Sequence, residues 1–164
     1  MLYKDGMLKF GAFYSNHKNK LFAYLMRLSG DYDLSADIMQ ESFVRYIERY
    51  GQSDGNMPLL YTIARNAFLD TTRRKRNNYA IAENEGDPAA DQEHLLMVRE
   101  EYRMVLSVMQ KLEGSERDLL ALVATSDLSY EEIGAITGLS KANVKVKVHR
   151  ARLKLKKLLQ EGEV

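Results

Sequence analysis

The sequence predicts an all-α protein built as two small helical domains joined by a flexible acidic linker. Three observations carry this reading. Apolar residues recur at spacings of three and four over most of the chain, the mark of amphipathic helices. No stretch alternates apolar and polar residues as a half-buried strand would, and there are only two prolines. The apolar pattern lapses over residues 78–91, where Glu83, Glu85, Asp87 and Asp91 accompany Gly86 and Pro88. The expected organisation is a domain over 1–77, a linker over 78–91 and a second domain over 92–164, and 164 residues are enough for two small helical units. A linker of fourteen residues spans at most ~50 Å at ~3.5 Å each.

Each element follows from spacing and punctuation. Phe10, Phe13 and Tyr14 mark one amphipathic segment, and Leu21, Tyr24, Leu25 and Leu28 mark the next. Gly30 is a helix stop, and Asp33 or Ser35 can cap the following helix, which turns Ile38, Phe43 and Ile47 inward. Gln52 to Asn56 is a turn-rich loop. Pro58 then suits a helix's first turn, where a missing N–H costs nothing. That helix buries Leu60, Ile63, Ala64, Ala67 and Phe68 and ends in a basic block. In the second half, Leu95 to Leu112 reads as one long helix, ended by Gly114, with Ser115 able to cap the next, Glu116 to Ala124. Ser129 and Glu132 have the spacing of a capping box. Ile133 and Ile136 face inward, Gly138 suits a positive φ, Leu139 plugs the core and Ser140 caps the last helix.

Composition narrows the function classes. With no cysteine, disulfides, thiolate metal sites and a cysteine nucleophile are excluded. The N-terminus lacks the pattern of a signal peptide, and no apolar run approaches the roughly 20 residues of a membrane span, so the expected location is the cytoplasm, without membrane insertion. The net charge of +1 conceals strong segregation. Arg73, Arg74, Lys75 and Arg76 form one cationic block, and the eight cations from Lys141 to Lys157 form a second with no acid among them. The first block also complements the dipole of its own helix, so charge alone leaves its role open. Asp37 and Glu41 share a helical face, but no third ligand accompanies them; no catalytic residue, metal or cofactor is expected. Tyr46, Tyr50 and Tyr61 could stack on unpaired bases, although core packing is the expectation for most of them.

The region from Ser129 to Leu155 has the parts of a helix-turn-helix: a short helix, a tight glycine turn and a second helix with a free outer face. On the last helix, Val144, Val148, Ala151 and Leu155 fall on one stripe. The opposite arc holds Ala142, Lys145, Val146, His149 and Arg150, flanked by Lys147 and Arg152. Cations there suit phosphate oxygens, and an exposed valine among them suits a thymine methyl. A solvated basic helix is the alternative, and the glycine turn and paired serine caps weigh against it.

Three stretches resemble the extracytoplasmic-function class (group 4) of the sigma-70 family of bacterial sigma factors. Leu34 to Phe43 is similar to the family's region 2.2, Leu59 to Arg74, with its Ile-Ala-Arg-Asn run, to regions 2.3 and 2.4, and Leu128 to Ser140 with Val144 to Arg152 to region 4.2. The resemblance implies a promoter-specificity subunit that directs core RNA polymerase to transcription start sites. It implies that Asp37, Gln40 and Glu41 face the β′ clamp helices. Arg65 and Asn66, with the loop Gln52 to Asn56, would lie near the single-stranded −10 element, and Arg73, Arg74 and Arg76 would meet its backbone. Lys141, Asn143, Lys145, Val146, Lys147, His149, Arg150 and Arg152 would engage the −35 element, in a domain that also binds the β flap. An anti-sigma factor, often membrane-anchored, is the implied regulatory partner. The sequence departs from the family pattern in having Leu59 where a tryptophan is frequent, and in carrying Ala142-Asn143-Val144 and Val146 on the last helix; the last two bear on the −35 sequence read rather than on the mode of binding. Two other functions compete: a stand-alone helix-turn-helix regulator, which would bind a palindrome as a dimer, and an adaptor that binds polymerase without DNA.

Overall fold

Seven helices and no strands make up the described residues, which in this computed structural model are 2–51, 55–79, 100–125 and 127–162. They are α1 (Leu2–Ser29), α2 (Tyr32–Tyr50), α3 (Met57–Tyr79), α4 (Glu100–Met109), α5 (Gly114–Val123), α6 (Tyr130–Thr137) and α7 (Lys141–Gly162). The linker expected over 78–91, apart from the end of α3, the expected helix start at Leu95 and most of the Gln52 to Asn56 loop lie outside the described residues.

The first two amphipathic segments are a single helix, because nothing from Ser15 to Lys20 breaks one. Gly30, at φ 68°, donates its N–H to the Met26 carbonyl and ends α1. The chain turns so tightly there that Asp31, rather than Asp33 or Ser35, caps α2: its carboxylate accepts the Leu34 N–H at 3.0 Å. Ser35 is instead buried, its hydroxyl 3.0 Å from that of Ser29. Asn56 caps α3 through the Leu59 N–H, with Pro58 in the first turn as expected.

The helix expected to reach Leu112 stops at Met109. Arg117 accounts for the stop: its guanidinium donates to the carbonyls of Met109, Gln110 and Leu112, at 3.0, 3.0 and 2.8 Å, satisfying groups that a helix end leaves unpaired. Helix α5 accordingly starts at Gly114, with Glu113 rather than Ser115 at its N-cap.

Helix α1 packs on α2, α4 and α5, α3 packs on α2 and α6, and α7 packs on α4, α5 and α6. The two halves therefore share one apolar core, running from Phe13, Leu21, Tyr24 and Leu60 through Leu119 and Leu122 to Ile133 and Val148. Tyr46 and Tyr61 are buried in it, as expected of core aromatics, and Tyr50 is exposed. The Tyr46 hydroxyl accepts the Asn56 N–H at 2.7 Å, anchoring the start of α3.

Candidate nucleic-acid interface

The geometry of the last two helices is set by local chemistry. Ser129 accepts the Glu132 N–H at 3.1 Å while the Glu132 carboxylate accepts the Ser129 N–H at 3.0 Å, closing the capping box. Gly138, at φ 78°, ends α6, and the Gly134 carbonyl accepts the N–H groups of both Gly138 and Leu139. Gly134 is a second requirement of this turn, one not apparent from the spacing: a Cβ there would lie 2.5 Å from the Leu139 carbonyl oxygen. Ser140 caps α7 through the Asn143 N–H at 3.2 Å.

Helix α7 is thus fixed by its inner stripe. Val144, Val148 and Ala151 are buried, and Leu155 is half-buried. Lys141, Asn143, Lys145, Val146, Lys147, His149, Arg150 and Arg152 are all exposed. Val146 is 47% exposed, a large apolar side chain among these cations. Lys141 lies 3.5 Å from Glu131, a solvent-exposed pair of little energetic consequence. The helix runs on past Leu155 to Gly162, and Lys154, just before Leu155, reaches Glu116 on α5 at 3.1 Å. The result is an exposed cationic helix face held outward by a buried apolar stripe.

A second surface lies between α2 and α3. Arg45, Arg49, Tyr50, Thr62, Asn66 and Asp70 line a groove of about 560 Å³. Arg73, Arg74 and Arg76 continue along α3 as exposed side chains. Asp37, Gln40 and Glu41 are exposed on α2. Gln40 donates to the Tyr14 hydroxyl at 3.2 Å, and Glu41 pairs with Arg45 at 2.5 Å. Among the described residues, no cluster of His, Cys, Asp or Glu could hold a metal ion, and no helix is long and apolar enough to cross a membrane.

Arg65 does not share the groove with Asn66. Its Nε donates to Asp118 of α5 at 2.6 Å, and the two side chains are 23% and 9% exposed. The other Asp118 oxygen accepts the Tyr24 hydroxyl at 2.7 Å. Burial, followed by the neighbouring Asp118 carboxylate, holds the Tyr24 hydroxyl well above the usual phenol range, so it stays a donor. The sequence offered no signal for this cluster, since Tyr24 and Asp118 lie 94 positions apart.

Comparison with known proteins finds the same two parts. Residues 13–78 match the family model for sigma-70 region 2, and residues 102–155 match that for sigma-70 region 4. The chain is 30% identical over 172 residues to the RNA polymerase sigma factor CarQ of Myxococcus xanthus, covering 99% of this chain and 96% of that protein. It is 29% identical over 157 residues to the ECF RNA polymerase sigma factor SigM of Bacillus subtilis, covering 91% and 94%. The fold resembles that of the sigma factor RpoE, solved in complex with the anti-sigma factor NepR from Bartonella quintana, with a TM-score of 0.74 at 22% identity over 92% of this chain and 96% of that one.

Proposed function

The chain belongs to the sigma-70 family of RNA polymerase sigma factors, in its extracytoplasmic-function class, and from that premise we propose how its surfaces divide the work of promoter recognition. Residues 1–77 form the unit that binds polymerase and the −10 element, 78–91 the connector, and 92–164 the unit that binds the −35 element and the β flap. The observation that carries this assignment is the free cationic face of α7, held outward by its buried Val144, Val148 and Ala151.

On that face Lys145, Val146, His149 and Arg150 take base edges in the major groove. Lys141, Asn143, Lys147 and Arg152 take flanking phosphates, which position without specifying. In the first unit, Asn66 and the groove it lines receive unpaired bases of the −10 element, with exposed Tyr50 as a stacking platform. Arg73, Arg74 and Arg76 follow the strand's backbone. Arg65 joins them once it is released from Asp118. Asp37, Gln40 and Glu41 meet the β′ clamp helices. Sigma factors are generally non-catalytic, and we assign this chain no catalytic step and no cofactor. Its place of action is the cytoplasm, and by analogy with the NepR-bound relative its regulator is an anti-sigma factor.

The test is reconstitution. Purified protein is added to bacterial core polymerase with a template library carrying varied −35 and −10 elements, and start sites are mapped. Promoter-dependent initiation that is lost when either element is scrambled supports the assignment. Absence of core binding sinks it, and tight binding to a palindrome without polymerase favours a stand-alone regulator.

A further inference from the structure

Beside the apolar core that the two halves share, a set of specific polar contacts joins them. Asp118 is bound by Arg65 and Tyr24. Arg27 donates to the Ala121 carbonyl at 3.0 and 3.3 Å, in the last turn of α5. Arg117 reaches the Leu28 carbonyl at 3.4 Å, and the Gln110 amide donates to the Arg27 carbonyl at 3.3 Å. Lys20 pairs with Asp127 across the same seam. Beside Tyr24, the Tyr61 hydroxyl is buried with no hydrogen-bond partner, so the seam is tight but not fully satisfied.

This closed arrangement conflicts with reading two promoter elements. Elements centred at −10 and −35 are ~25 base pairs apart, or about 85 Å at ~3.4 Å per pair. A compact chain of 164 residues is only roughly 40 Å across. The two halves must separate before both elements can be read, and separation breaks the Asp118 contacts.

We propose that Asp118 is an internal latch: its carboxylate occupies Arg65 in place of a nucleic-acid phosphate and, with Tyr24, holds the free chain closed until polymerase and promoter pull the halves apart. The inference rests on the promoter reading above for the role of Arg65. The −35 face of α7 stays exposed in the closed form, so the latch acts on separation and on Arg65 rather than by covering that helix. Asp118 is suited to this because both its oxygens are used by the opposite half, and the same carboxylate cannot follow Arg65 onto DNA.

The absence of native cysteine allows a clean test on the full chain. Fluorophores placed at exposed positions of α2 and α7 report the distance between halves in the free protein. Asp118→Asn retains an acceptor for Tyr24 but loses the charge facing Arg65; it is expected to shift the distance distribution outward and to raise affinity for core polymerase at least tenfold. An unchanged distribution in a folded Asp118→Asn protein overturns the latch. In parallel, Lys20→Cys with Asp127→Cys, both at exposed positions, is joined by a reducible bis-maleimide. The bridged protein should direct at least tenfold less transcription than the same sample after reduction. Equal activity before and after reduction overturns the inhibitory role of closure even if Asp118→Asn fails to fold. Should the reduced protein support no promoter-directed transcription while Asp118→Asn still opens, the latch stands and the promoter reading fails.

Discussion

Arg65 and Asn66 are consecutive on α3 and serve different surfaces: Arg65 is held by Asp118 at 2.6 Å, whereas Asn66 is exposed in the groove between α2 and α3. A helix turns by about 100° per residue, so neighbours in sequence need not share a ligand. The groove beside Asn66 is open, while the guanidinium of Arg65 is already engaged by a carboxylate.

Substitutions in the groove should therefore weaken −10 recognition without weakening the fold. Asn66→Ala removes one hydrogen-bonding group at an exposed site and should cost roughly 0.5–1.5 kcal/mol of single-strand affinity. Tyr50→Ala removes a stacking face and should cost about 1–3 kcal/mol. Permanganate footprinting of the opened promoter in reconstituted holoenzyme would read both losses. Thermal melting of Asn66→Ala should be unchanged, and a marked drop in its melting temperature would move Asn66 from recognition to folding.

Charge reversal on α7 should separate reading from mere attachment. If the proposed −35 reading holds, Lys145→Glu and Arg150→Glu each remove a contact worth ~1–3 kcal/mol and set a carboxylate against the phosphates. Initiation at a promoter that depends on its −35 element should fall by at least about tenfold for each, with core-polymerase affinity retained. Unchanged initiation would leave only an adaptor role for the C-terminal half.

What the sequence could reveal was whatever repeats within a few residues. The stripe of Val144, Val148 and Ala151, the Ser129–Glu132 box and the Gly138 turn are local patterns, and the structure has each of them. The exposure of the cationic arc then follows by elimination. Asp118, by contrast, follows Glu116 and Arg117 on α5, and nothing within a helical turn of it indicates that Tyr24 and Arg65 are its partners. The same limit hid Arg117, whose carbonyl contacts end α4 three residues before the apolar spacing does. Expectation placed Arg65 with Asn66 because their motif is contiguous; the structure separates them because the charge that claims Arg65 comes from the other half of the chain.

The turn between α6 and α7 makes a stability prediction. Gly134→Ala would normally favour a helix, but here the new methyl meets the Leu139 carbonyl oxygen at 2.5 Å. That contact is to backbone, so relief requires the turn itself to shift, at a cost of about 1–3 kcal/mol. Thermal denaturation should show a fall on the order of 3–10 °C, and −35 binding should weaken as α7 is displaced. Gly162→Ala, on α7 with open space around it, is the control and should not destabilise.

The last prediction concerns acid. His17 is half-buried beside the Phe13 ring, with centroids 4.7 Å apart, and its Nδ1 is buried without a partner. Burial first, and the Lys20 ammonium second, hold the imidazole below its usual value of 6.5, partly opposed by Asp127. The folded state thus binds a proton less readily than the unfolded one. Unfolded His17 takes up its proton as pH falls through about 6.5, while folded His17 waits until a lower pH. The stability His17 contributes is complete above 6.5 and is lost as pH falls through the interval between the two values. His17→Gln removes the titration, so its stability should change less between pH 7.5 and pH 5.5 than that of the parent protein. Urea unfolding at the two pH values measures this directly, and an equal acid-induced loss in both proteins would assign the effect to other groups.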